Sequence, residues 1–282
     1  MNYFVDEEKI NVRLKSDFDL VSSLGYTCLG VFLQGSQNYG VSYKHSDIDT
    51  KAIVLPNLKD IILNRKPVST TYILDSDEHV DIKDIRLMFE CFLKQNINFL
   101  EILFTDYCYI NPEYERFWFP ILYRREDIAH YNNYKAVSAF SGTIIEKHKI
   151  FEHPYPSKAS LIENYGYNPK EVHHMVRCLE VLRRYIFGES FKACLKTNDR
   201  DYLIALKQIP PKLNLDEARK LADECKSEAI KIRDNYMATT KLSVDTGVER
   251  FLENCLYEII SHKLEGDIKA NELRRTNLGI SD

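Results

Sequence analysis

Residues 29–55 constrain this chain more than any other stretch: LGVFLQGSQNYGVSYKHSDIDTKAIVL. An apolar run ends at Gly35-Ser36, a polar, turn-rich segment follows, and a second apolar run carries Asp47 and Asp49 at its start. Side chains alternate across a strand, so carboxylates at i and i+2 share a face. At a rise of about 3.3 Å per residue, two such carboxylates are spaced to flank metal ions roughly 3.5–4 Å apart. A Gly-Ser turn straight after the neighbouring strand offers backbone N–H groups and a hydroxyl to a phosphate. Gly40, five residues after Gly35, also suits close approach of backbone to a ligand. Ser36 is placed to donate to a phosphate oxygen, and Tyr39 either stacks on a ligand or packs against the loop.

The rest of the chain supplies a frame for this stretch. Residues 8–24 space Ile10, Leu14, Phe18, Val21 and Leu24 as an amphipathic helix. Strands are expected over Cys28–Leu33, Ile48–Leu55 (stopped by Pro56), Val68–Leu74 and Glu78–Asp84, the last two paired through an Asp75-Ser76-Asp77 turn. A short helix or turn is expected over Asn57–Asn64, and helix over Ile85–Gln95 and Phe99–Phe104. From about Glu113 the periodicity turns helical: 132–151, 169–187, 199–208, 215–237 and 246–265, with Asn198 and Asp216 near plausible N-caps. The expected architecture is an α/β (α+β) half with a mixed sheet and flanking helices to about residue 110, followed by an all-α C-terminal helical half.

One helix of the second half carries chemistry. In YGYNPKEVHHMVRCLEVLRRYIF, residues 165–187, Asn168-Pro169 marks the start. At 100° per residue, Val172, Met175, Val176, Leu179, Leu182 and Ile186 form one side, and Lys170, His174 and Arg177 gather opposite. Packed by its apolar side, such a helix aims three basic groups into a cleft facing the Asp strand. His173 reads as incidental, and Arg183-Arg184 as serving solvent or a neighbouring helix.

These residues carry a resemblance. Gly-Ser, ten residues, Asp-x-Asp is similar to the signature of the polymerase-β-like nucleotidyltransferase superfamily. GSQNYGVSYKHSDIDTKAI resembles its small bacterial and phage branch, in which Tyr-Gly follows Gly-Ser by two residues. The same proteins have Gly-Tyr-x-x-Lys, then His and Arg, matched here by Gly166, Tyr167, Lys170, His174 and Arg177. The resemblance covers residues 29–104 and 165–187, about a third of the chain.

What the resemblance implies is a nucleotidyltransferase catalytic domain over 1–110 and a helical domain over 111–282 completing the nucleotide site and acceptor region. It implies transfer of an NMP from an NTP to a hydroxyl acceptor with release of pyrophosphate. Asp47 and Asp49 would be catalytic metal ligands, with Asp81 of EHVDIKD as the third; Glu78 and Asp84 sit at strand ends and on the other face. Two Mg²⁺ ions, or Mn²⁺, suit such carboxylates. Gly35, Ser36, Lys51, Lys170, His174 and Arg177 would bind the nucleotide, although Lys51 is equally placed to pair with Asp49. His79 shares the Asp81 face. The acceptor, whether small molecule, protein or RNA end, is left open. The rival reading is a non-catalytic nucleotide-binding or interaction module; both aspartates being intact speaks against it.

Composition narrows the partners. Seven cysteines without close spacing argue against a disulfide framework or a Cys-based zinc site. A net charge of −4 gives no broad reason to hold long nucleic acid non-specifically. No apolar run reaches the roughly 18 residues of a membrane span, and MNYFVDEEKI lacks the pattern of a signal peptide, so a cytoplasmic setting is expected. The histidines at 45, 79, 130, 148, 153 and 262 show no HExxH spacing.

Overall fold

The computed structural model describes residues 6–42 and 46–277, so His45 lies outside the described residues. The first half runs α1 (Glu7–Ser23), β1 (Thr27–Gln34), β2 (Asp49–Leu55), α2 (Leu58–Ile62), β3 (Ser69–Ile73), β4 (His79–Asp84), α3 (Ile85–Leu93), α4 (Ile97–Leu100) and β5 (Cys108–Ile110). The second half is helical: α5 (Glu115–Tyr123), α6 (Arg125–His130), α7 (Asn133–Ile150), α8 (Ala159–Tyr165), α9 (Pro169–Ile186), α10 (Phe191–Leu195), α11 (Arg200–Leu206), α12 (Leu215–Thr239) and α13 (Thr246–Asn277). The mixed sheet with flanking helices, followed by an all-helical half, matches the expected architecture.

The strands lie in the order β3-β4-β2-β1-β5. β2 pairs parallel with β4 and antiparallel with β1; β3–β4 and β1–β5 are antiparallel. β2 is therefore central, and Lys51 stands opposite Phe32 on one side and Asp81 on the other.

Alternation along β2 divides the core. Thr50, Ala52 and Val54 point with Val31, Leu33, Val80 and Ile82 toward α1, whose Ile10, Leu14 and Val21 are fully covered. Burying each such side chain is worth about 1.5–3 kcal/mol, enough to fix how α1 lies on the sheet. Ile53 and Leu55 face the other way, into a larger core shared with α3, α7, α9 and α12. Asp49 and Lys51 share that face, so the polar start of β2 opens toward the helical half. The core runs unbroken across residue 110.

Several expectations shift in detail. β2 begins at Asp49, so Asp47 precedes the strand rather than sitting on it. The strand β5 has only three residues and is missed by periodicity. Phe99–Phe104 divides into the end of α4 and a 3₁₀ turn over Glu101–Leu103. The N-caps are Asp199 and Asn214, each one or two residues from the expected Asn198 and Asp216. Short helices α5, α6, α8 and α10 were not anticipated, and α13 continues past Glu265. All seven cysteines are free thiols. Among the described residues no helix is long and apolar enough to cross a membrane.

Candidate functional site

β1 ends at Gln34, and the chain turns through Gly35 at φ +84° and later Gly40 at φ +74°, conformations that favour glycine. Gly35–Gln37 form a 3₁₀ turn. The turn is held at both ends: Asn38 Nδ2 donates to the Leu33 carbonyl at 2.9 Å, and the Val41 N–H to the Ser36 carbonyl at 3.1 Å. Arg200 of α11 reaches across from the helical half, donating to the carbonyls of Gly40 at 2.8 Å and Ser42 at 3.0 Å.

Gly35, Ser36 and Tyr39 line a cavity of about 550 Å³ together with Asp47, Asp49, Lys51, Asp81, Lys170, His174 and Arg177. Every residue marked in the sequence as metal-binding or nucleotide-binding thus meets in one place. His79 stands beside it, Nδ1 3.9 Å from Asp49 Oδ1.

The carboxylates are not equivalent. Asp47 is exposed and Asp49 half-buried. Burial pushes the Asp49 carboxyl above its ordinary range, Lys170 works to lower it, and the charge of Asp47 works to raise it. Asp81 has both oxygens engaged, by Lys51 Nζ at 2.8 Å and by the Thr71 hydroxyl at 2.7 Å. Burial acts to raise its pKa, but Lys51 prevails and the carboxyl lies below the usual value. Lys51 is 2% exposed and sits over the Phe99 ring, 4.3 Å from its centroid. Of the two roles expected for Lys51, pairing is the one seen, with Asp81 rather than Asp49.

Among the described residues no three His, Cys, Asp or Glu side chains converge as a metal-binding group. The available donor set is Asp47 and Asp49. An all-oxygen pair open to a cavity fits Mg²⁺, which completes its shell with water and phosphate oxygens.

α9 supplies the opposite wall. Asn168 caps it, accepting from the Lys170 N–H at 3.1 Å, and Pro169 opens its first turn. Arg177 is 3% exposed, its guanidinium lies 3.6 Å from the Tyr39 ring centroid, and among the described residues its Nε and Nη1 meet no acceptor. His174 is driven well below its usual pKa by burial among His173, Arg177 and lysines, so it stands neutral. Arg183 and Arg184, as anticipated, serve neighbours: Arg183 pairs with Glu228 of α12 and Arg184 with Glu189.

Three titratable cavity residues escaped the sequence. His173 is not incidental; it lines the cavity, its Nδ1 2.7 Å from the Leu203 carbonyl, and burial takes its pKa to about 3. Its place was legible, because i+3 from Lys170 and i−4 from Arg177 is the same helix face. Glu101 is 2% exposed, accepts from the Gly35 N–H at 3.3 Å through Oε1, and among the described residues Oε2 meets no partner. Burial pushes its carboxyl up to about 8 against the pull of Arg177. Lys207, at the end of α11, is brought down to about 8 by burial and neighbouring cations. A lone Glu and a lone Lys at helix ends carry no signal of this.

No family model matches the chain, and neither does any curated protein. Among solved structures it is similar to a nucleotidyltransferase-like protein from Exiguobacterium sibiricum, at 9% identity and a TM-score of 0.30, over 80% of this chain and 75% of the other. That superposition is too loose to pair individual residues between the two.

Proposed function

We propose that this chain is a metal-dependent nucleotidyltransferase that moves an NMP from an NTP to a hydroxyl acceptor and releases pyrophosphate. One observation carries the reading. Asp47 and Asp49 face Lys170, Arg177 and Lys207 across a single cavity, with the Gly35-Ser36 turn at its edge.

In this reading the Gly35-Ser36 turn and the unpartnered Arg177 donors bind triphosphate oxygens, a charge-assisted contact that suits a guanidinium. Lys170 and Lys207 offset the remaining negative charge. His173 and His174, being neutral, shape the wall rather than add charge. Asp47 and Asp49 would hold Mg²⁺, with Mn²⁺ as the alternative; bound there, the metal supplies charge neutralisation and a more acidic acceptor hydroxyl. Asp81 would orient the acceptor hydroxyl and accept its proton, and it would join the metal-holding carboxylates only on giving up its pair with Lys51. Residues 1–110 thus provide the carboxylates and the Gly35-Ser36 turn, and 111–282 the basic wall of the triphosphate site and the acceptor's approach.

The engagement of both Asp81 oxygens favours a second reading, a nucleotide-binding module without turnover. The two part on incubation with each α-labelled NTP, Mg²⁺ and a cell extract. The enzyme labels an acceptor and releases pyrophosphate, and the Asp47→Ala/Asp49→Ala variant does neither. An NTP-dependent rise in melting temperature with no labelled acceptor and no pyrophosphate, for any NTP, overturns catalysis in favour of the module. Nuclease or protease sensitivity of the labelled product identifies the acceptor class.

A further inference from the structure

α1 lies on the face of the sheet turned away from the cavity, yet it is wired to the aspartates. Arg13 Nε donates to both oxygens of Asp17 one turn along, each at 2.8 Å. Its Nη1 pairs with Oε2 of Glu78, just before β4. From this trio two bonds reach the start of β2. Glu78 Oε1 accepts the Ile48 N–H at 3.0 Å, the amide that joins Asp47 to Ile48. Asp17 Oδ2 accepts the Thr50 hydroxyl at 2.6 Å, one residue beyond Asp49.

Asp17 is 1% exposed and Thr50 fully buried. Replacing a buried ionic cluster by apolar side chains is often neutral or stabilising, so stability alone is a poor reason for one under this sheet. Its placement gives a better one. The two bonds bracket Asp49 and end at its immediate neighbours, and they come from the face opposite the cavity. Asp47 lies before the strand and lacks ladder bonds to steady it, so the Ile48 amide is the nearest backbone group through which it can be fixed.

We infer that Arg13, Asp17 and Glu78 are positioning residues that hold the Asp47–Asp49 segment in the geometry that binds a divalent cation. The inference rests on the proposed metal-ligand role of Asp47 and Asp49. Direct hydrogen-bond partners of a metal ligand typically change affinity about 10–100-fold when lost; these bonds act on the residues next to the ligands, so the lower end is expected.

The test titrates Mn²⁺ alone into the full-length chain and reads the free ion by electron paramagnetic resonance. Wild type binds, and Asp47→Ala/Asp49→Ala does not. Glu78→Ala and Thr50→Val, the second nearly isosteric, each weaken Mn²⁺ binding about 10-fold in samples whose circular dichroism matches wild type. Glu78→Gln keeps an acceptor for the Ile48 N–H and falls nearer wild type. Asp19→Ala, which breaks the exposed Lys15–Asp19 pair on the same helix, leaves binding unchanged. If Glu78→Ala and Thr50→Val bind like wild type, or Asp19→Ala weakens binding as much as they do, the positioning role is overturned while the metal site stands. If wild type itself does not bind Mn²⁺, the metal-ligand reading fails and takes the inference with it.

Discussion

Lys51 and Asp81 face each other across the parallel pairing of β2 and β4, with Nζ 2.8 Å from Oδ2. The ammonium is sealed between that carboxylate and the Phe99 ring, while Asp81 is a third exposed to the cavity. A carboxylate that lines the same cavity as Asp47 and Asp49 is thereby given a counter-charge. Whatever cation Asp81 later serves must compete with Lys51.

Removing Lys51 therefore costs stability. Lys51→Met leaves Asp81 half-buried without its cation and lowers stability by about 3 kcal/mol, the lower end of the range for a broken buried pair, read from the urea midpoint. The carboxyl of Asp81 is held below its ordinary pKa, so the pair's contribution is present at neutral pH and fades as pH falls below about 4. Wild type accordingly loses stability on acidification more steeply than Asp81→Asn. Equal urea midpoints for wild type and Lys51→Met would show that the pair does not stabilise the fold.

Glu101 produces the opposite pH dependence. Its carboxyl is raised to about 8 in the fold, against about 4.3 for an unperturbed Glu. The folded chain keeps the proton that the unfolded chain releases, so stability falls as pH rises from about 4.5 toward 8 and levels off above. Glu101→Gln keeps the acceptor for the Gly35 N–H but does not titrate. It gains on wild type across that window, by no more than about 5 kcal/mol at 1.36 kcal/mol per pKa unit. Parallel stability–pH curves for the two proteins would rule this out.

Arg177 tests the triphosphate wall. Lysine at this position keeps the charge but loses the planar fork and the stacking on Tyr39. Arg177→Lys should weaken Mg²⁺–NTP binding about 10–100-fold, the loss of one or two hydrogen bonds to a charged group, measured by calorimetry with each NTP. Wild-type affinity in that variant would remove Arg177 from the binding machinery.

Legibility in the sequence followed the range of the forces involved. β1, β2 and the hairpin β3–β4 were readable because alternation and turn chemistry are local, and Pro56 marks where β2 stops. α9 was readable through its apolar stripe and its Asn168-Pro169 start. β5 was not, since three residues hold no period and its place depends on pairing with β1. Glu101 looked like an ordinary helical carboxylate, because its surroundings come from Gly35, distant in sequence, and from α9. The Lys51–Asp81 pairing needed the register of β2 against β4, which only the assembled sheet specifies.

Arg200 gives the site a history as well as a shape. Its bonds to Gly40 and Ser42 join residues about 160 positions apart, and closing so long a segment must await the docking of α11. The motif loop leaves the ribosome early, yet the bonds from Arg200 cannot form until about half of the helical half has followed. A chain released before residue 200 would carry the aspartates and the Gly-Ser turn without the bonds that tie Gly40 and Ser42 to the helical half. Completion of the loop is thus deferred until well into the second half of synthesis.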